Sequence, residues 1–124
     1  MGVYAVRAFR RWMKAEGLVD ADLCRAAAEM ARGLIDADLG GGLLKKRIAR
    51  NGQGKRGGFR TLVANHLSNH WFFVYGYAKH DMANLSPRDE RDCRRAARLF
   101  LSLDAGARDD HVAVGELSEM DCDA

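Results

Sequence analysis

The stretch that decides the fold is LLKKRIARNGQGKRGGFRTLVANHLSNHWFFVYGYAK, residues 43–79. It contains three runs of strand-like composition: LLKKRIA (43–49), GFRTLVANHL (58–67) and HWFFVYGYAK (70–79). A glycine-rich basic loop, RNGQGKRGG, joins the first two, and Ser68-Asn69 makes a tight link to the third. Three consecutive strands with short connections predict an antiparallel meander.

Upstream, residues 3–7 (VYAVR) read either as a short first strand or as the lead-in to a helix. Phe9, Trp12 and Met13 fall at helical spacing between Ala8 and Glu16, and Gly17 suits a C-terminal stop. Asp20 or Asp22 then caps a second helix. Its residues Leu23, Ala26, Ala27, Met30, Ala31 and Leu34 follow the i, i+3, i+4, i+7 rule. Gly40-Gly41-Gly42 ends that texture. Downstream, Ser86-Pro87-Arg88-Asp89 is a helix start, with serine as N-cap and proline in the first turn. Cys93, Ala96, Ala97, Phe100 and Leu101 give that helix an apolar stripe. Residues 104–124 carry seven carboxylates against Arg108 and read as a loosely ordered acidic tail. The expectation is an α+β fold: an N-terminal helical hairpin and a C-terminal helix packed on one face of a small antiparallel sheet. The domain spans residues 1–103, with the acidic tail at 104–124.

At 124 residues the chain is one domain with one modest core. No unbroken apolar run is long enough to suggest a membrane span, and MGVYAVRAFRRW lacks the pattern of a signal peptide. A cytoplasmic address is expected. Cys24, Cys93 and Cys122 are odd in number and far apart, so neither a disulfide framework nor a zinc site is indicated. No metal and no cofactor is expected.

The net charge of +3 is mild, but its distribution is not. Between Leu39 and His80 there is no Asp or Glu, while Lys45, Lys46, Arg47, Arg50, Lys55, Arg56, Arg60 and Lys79 are all basic. Such separation of sign favours a polyanion site in one part of the fold. Strand alternation puts Lys45 with Arg47, Arg60 with Leu62, and Tyr75 and Tyr77 with Lys79. The same alternation puts Phe72 and Val74 opposite those tyrosines, and Lys46 on the apolar side, where it needs a bulge or a snorkelling side chain. GQGKRGG lacks the spacing of a phosphate-binding loop and a following helix, so it reads as a flexible basic hairpin loop. Lysine and arginine neutralise phosphates, and tyrosine faces take unstacked bases, which suits RNA. The basic third offers no carboxylates for a two-metal mechanism. RNA carries its own nucleophile, the 2′-OH, so cleavage needs only a base, cations for the phosphorane charge and an acid for the leaving 5′-oxygen.

The run GGGLLKKRIARNGQGKRGGFRT (40–61), the later FFVYGYAKHDMANLS (72–86) and the preceding double helix resemble the RelE/HigB-type toxins of bacterial toxin–antitoxin pairs. The resemblance covers about residues 3 to 103. It implies a RelE-like fold and mRNA endonuclease activity, often on the ribosome, leaving 2′,3′-cyclic phosphate and 5′-hydroxyl ends and inhibiting translation. It also implies neutralisation by an antitoxin, frequently a helix-turn-helix protein. By position, Lys45 and Arg47 match strand lysines that hold phosphate, one of which can act as base. Arg60 matches the arginine that stabilises the phosphate in flight, and His80, after Lys79, falls where an acid can sit. Catalysis is thereby assigned to Lys45, Arg47, Arg60, Lys79 and His80, and RNA binding to Lys46, Arg50, Lys55, Arg56 and Tyr77. Two positions depart from the pattern. Ser86 falls where some members have a terminal tyrosine, and Met82 where the close group is expected to have arginine. Two other readings stay open: a ParE-like toxin that binds a topoisomerase without cleaving RNA, and a decayed toxin that serves as co-repressor with its antitoxin.

Overall fold

The computed structural model describes residues 2–50, 54–66, 70–79 and 85–123, with residues 54–57 described by backbone alone. The chain order is β1 (Gly2–Val6), α1 (Arg7–Ala15), α2 (Asp20–Ala31), β2 (Ala37–Asp38), β3 (Leu43–Arg50), β4 (Gly54–Ala64), β5 (His70–Ala78), α3 (Pro87–Leu101), α4 (Ala105–Ala113) and β6 (Leu117–Glu119). The strands form one sheet in the order β2-β3-β4-β5-β1-β6. The expected meander is its centre, β3-β4-β5, paired antiparallel. Residues 3–7 resolve in favour of a strand. β1 pairs with β5 in parallel, from Gly2↔His70 to Ala5↔Phe73, so the sheet is mixed rather than purely antiparallel.

The helices cover both faces of the sheet, not one. Leu44 and Ile48 of β3, Phe59 and Val63 of β4 and Phe73 of β5 pack against Phe9 and Met13 of α1 and Leu23, Ala27 and Met30 of α2. On the other face Leu43, Leu62, Ala64 and Phe72 meet Cys93, Ala97 and Phe100 of α3. The alternating residues of each strand are therefore apolar on both sides, which is what a sheet between two helical layers requires.

One irregularity reassigns β5. Leu62 pairs with Tyr75 and Val63 with Phe73, which leaves Val74 as the extra residue of a bulge. Beyond it the alternation shifts by one. Trp71 thus belongs to the α1/α2 side, whereas Phe72, Tyr75 and Tyr77 all belong to the α3 side. Strict alternation, without the bulge, places Trp71 on the side of Tyr75 and Tyr77 and Phe72 opposite them. At Gly76 a Cβ would run into the ring of Trp12, which lies directly over it.

The helix starts follow chemistry legible in the sequence. Ser86 Oγ accepts from the Asp89 N–H at 3.1 Å, with Pro87 at the first helical position. For α2 the cap is Asp22, whose carboxylate accepts from the Val19 N–H at 2.9 Å. Asp20 instead accepts from Arg10 at 2.6 Å and from the Asp121 N–H at 2.9 Å.

Where a loosely ordered tail is expected, the chain forms α4 and β6. Asp104 caps α4 through the Ala107 N–H, and β6 pairs antiparallel with β1 from Tyr4↔Glu119 to Val6↔Leu117. The carboxylates are solvated along a segment whose Leu117 and Met120 are buried. Charge density hid the two apolar anchors that fix it. Cys24 and Cys122 form a disulfide, with Cα atoms 5.5 Å apart, where the number and spacing of the cysteines indicate no disulfide framework. The β1–β6 pairing brings together two cysteines that lie 98 residues apart in sequence. Among the described residues no helix is long and apolar enough to cross a membrane.

Candidate nucleic-acid interface

The meander aligns the basic residues in rows across its α3 side. Arg47 of β3 faces Arg60 of β4, which faces Tyr77 of β5. The next row is Lys45, Leu62 and Tyr75. Directly paired residues on neighbouring strands sit about 5 Å apart, so two arginine side chains rise from adjacent positions on one sheet face. Like charges placed directly opposite are destabilising, and the arrangement suits an anion bound between them. Lys79 follows β5, exposed, with its N–H on the Gly58 carbonyl at 3.4 Å.

The row has unmet hydrogen-bonding capacity. Arg60 Nη1 and the Tyr77 hydroxyl are buried and have no partner among the described residues. Leaving such groups unsatisfied costs roughly 1–3 kcal/mol each, so they call for an explanation. Burial pushes the Tyr77 phenol above its ordinary range, with Arg60 pulling the other way. The hydroxyl therefore keeps its proton at neutral pH and is a donor. Tyr77 is only 4% exposed, so it does not present the stacking face expected of it. Tyr75 is also pushed up, by burial and by Asp89, whose carboxylate accepts its hydroxyl at 3.4 Å.

Arg47 is oriented by Asp36. The carboxylate accepts from the Arg47 backbone N–H at 2.7 Å and from Nε at 2.8 Å, leaving the outer guanidinium nitrogens free to point elsewhere. Asp36 precedes a two-residue edge strand that no sequence pattern announces, so nothing in the sequence singled it out. The Lys45 ammonium, half-buried, has no ion pair among the described residues.

Other expected members stand apart. Lys46 needs neither bulge nor snorkel: it points to the α2 side, 2% exposed, and Nζ binds Glu29 and the Leu34 carbonyl, each at 2.8 Å. It belongs to the core and has no surface to offer a phosphate. Arg50 also lies on the helical-hairpin side, over the Phe59 ring at 5.3 Å and 3.8 Å from Glu16. Lys55 and Arg56 lie on the backbone of β4, and their side chains are outside the described residues, as are His80, Met82 and the Ser68-Asn69 link. Ser86, one of the departures noted above, has a local role as the α3 cap. Among the described residues no three His, Cys, Asp or Glu side chains converge to hold a metal ion.

This geometry defines a small mixed α/β protein with a row of basic residues on one face of its sheet. The chain belongs to the RelE toxin family: the family described as the RelE toxin of the RelE/RelB toxin–antitoxin system matches residues 1–120. The match takes in α4 and most of the segment that ends the chain. Membership implies an antitoxin partner, and toxins of this family generally cleave mRNA. None of the curated proteins compared with the chain matches it.

Proposed function

We propose that this toxin is an endoribonuclease that cuts mRNA, in association with the ribosome, by attack of the RNA's own 2′-OH, and so inhibits translation. The observation that carries this reading is the row Arg47–Arg60–Tyr77, with its two unpartnered donors flanked by Lys45. A phosphodiester seated on the row binds the Arg47 and Arg60 guanidiniums, and the buried Arg60 Nη1 and Tyr77 hydroxyl reach it once a small shift of their side chains uncovers them. As the 2′-oxygen bonds to phosphorus, negative charge grows on the non-bridging oxygens, where fixed cations stabilise it most. Lys45 or His80 takes the 2′-OH proton. The P–O5′ bond breaks, and His80 gives a proton to the departing 5′-oxygen. The products are a 2′,3′-cyclic phosphate and a 5′-hydroxyl, with no metal or cofactor among the participants. Arg47, aimed by Asp36, and Lys79 hold neighbouring phosphates.

The test is brief induction without antitoxin, followed by sequencing of RNA 5′-hydroxyl ends. New ends inside translated frames, absent with Arg60→Ala, are expected. Growth arrest with intact mRNA would overturn the nuclease reading in favour of a topoisomerase-binding toxin.

A further inference from the structure

A second cationic surface lies on α3, outside the sheet face. Arg88, Arg91, Arg95 and Arg98 follow i, i+3, i+7, i+10 spacing, which gathers them on one helix face. All four are exposed, opposite the buried stripe of Cys93, Ala97 and Phe100. The carboxylates of α3 do not cancel them. Asp89 is turned to Tyr75, and Glu90 lies 3.5 Å from Arg94 on the flank. Asp92 alone shares the arc, 3.9 Å from a 73%-exposed Arg95, too loose to fix it. Arg88, Arg91 and Arg98 have no ion pair among the described residues.

We infer that this arginine ridge binds the sugar–phosphate backbone of the RNA strand as it leaves the Arg47–Arg60–Tyr77 row. The inference rests on the nuclease reading and extends it to the substrate beyond the cut. The ridge spans ten residues of helix, about 15 Å. A short stretch of single strand laid along that length brings its phosphates within reach of the four guanidiniums. The first turn of α3 is the part of the helix beside the row: the Tyr75 hydroxyl meets Asp89 there, and the Tyr75 and Tyr77 rings are 6.1 Å apart. All four cations are arginines. Their planar guanidiniums match phosphate oxygens two at a time and hold water less tightly than lysine does.

The test measures binding of fully 2′-O-methylated RNA, which lacks the attacking hydroxyl and cannot be cut, as 4-mer and 12-mer across a salt series. The 4-mer fills the row; only the 12-mer reaches the ridge. Replacing all four arginines by glutamine should leave the 4-mer unchanged and weaken the 12-mer at least tenfold in low salt. The slope of log affinity on log salt should become shallower by between about 2 and 3, since each phosphate contact on single strands contributes about 0.7. The single variants Arg91→Gln and Arg95→Gln should each remove about 0.7, which guards against a folding fault in the quadruple variant. An unchanged 12-mer slope overturns the ridge. So does a ridge variant that loses only antitoxin binding, which would make the surface a protein interface. Arg60→Ala binding the 4-mer as wild type would instead fault the row, a result the 12-mer slope does not depend on.

Discussion

The two faces of the sheet treat adjacent basic residues in opposite ways. Lys46 and Arg47 are neighbours on β3, yet one is a buried structural cation and the other a surface one. On the α2 side Lys46 is removed from water and neutralised by Glu29. On the α3 side Arg47 faces a second arginine, and its carboxylate partner, Asp36, lies at the rim. A protein interior tolerates charge only where it is paired and hydrogen-bonded. Charge is left unmatched where the structure has something outside itself to bind. What separates the two faces is where the counter-charge comes from: the fold for Lys46 and, on the proposed nuclease reading, the bound RNA for Arg60.

Perturbing each face in turn should expose that difference. The largest effect on folding is expected from Glu29→Ala, which strands the Lys46 ammonium at 3% side-chain exposure. Breaking such a pair costs about 3–5 kcal/mol, a fall in Tm on the order of 12–20 °C for a domain of this size. Calorimetry would measure it, and the double variant Lys46→Met/Glu29→Leu should recover most of the loss. On the other face Arg60→Ala should leave Tm nearly unchanged but slow RNA cleavage by about 10²–10³, as expected when one donor to a developing oxyanion is removed. If Arg60→Ala unfolds the protein, the division between the faces is wrong.

Smaller effects sharpen the contrast. Asp36→Ala releases Arg47 from a pair at the rim and should cost no more than about 1 kcal/mol in urea unfolding. Asp20 gives the last case. The Asp121 N–H, then Arg10, holds its carboxyl below the usual 3.8 despite partial burial. Its contribution to stability is present above that value and is lost as pH falls through the lower folded pKa. Asp20→Asn should therefore destabilise at neutral pH, with the gap to wild type closing in acid below pH 3.8.

Much of this was readable in the sequence. The meander, both faces of β3 and β4, the existence of helices α1 and α2 and the Ser86-Pro87 start of α3 follow from period, turn residues and caps. So does the pairing of Lys45, Arg47 and Arg60 on one side. What could not be read has physical causes. A bulge leaves no mark in composition, so the shift at Val74 misplaced Trp71 and Phe72. Lys46 was visible as an exception to alternation, but its partner Glu29 lies on another element. The parallel place of β1 beside β5 depends on a crossover that no local pattern encodes. Around Leu117 and Met120 the carboxylates outweigh the apolar residues in composition while contributing nothing to the packing. The arginine ridge was legible at helical period, as the polar complement of the stripe through Cys93, Ala97 and Phe100.

The parallel pairing of β1 with β5 also orders events in time. Hairpins β3-β4 and β4-β5 join segments close in sequence and can close early, while the strand made first must wait for a partner almost seventy residues later, at Gly2↔His70. It then receives β6 on its far edge, at Tyr4↔Glu119. Closing loops of that length slows folding. A growing chain can thus carry the Arg47–Arg60–Tyr77 row before β1 and β6 have joined the sheet, and β6 pairs with β1 away from that row.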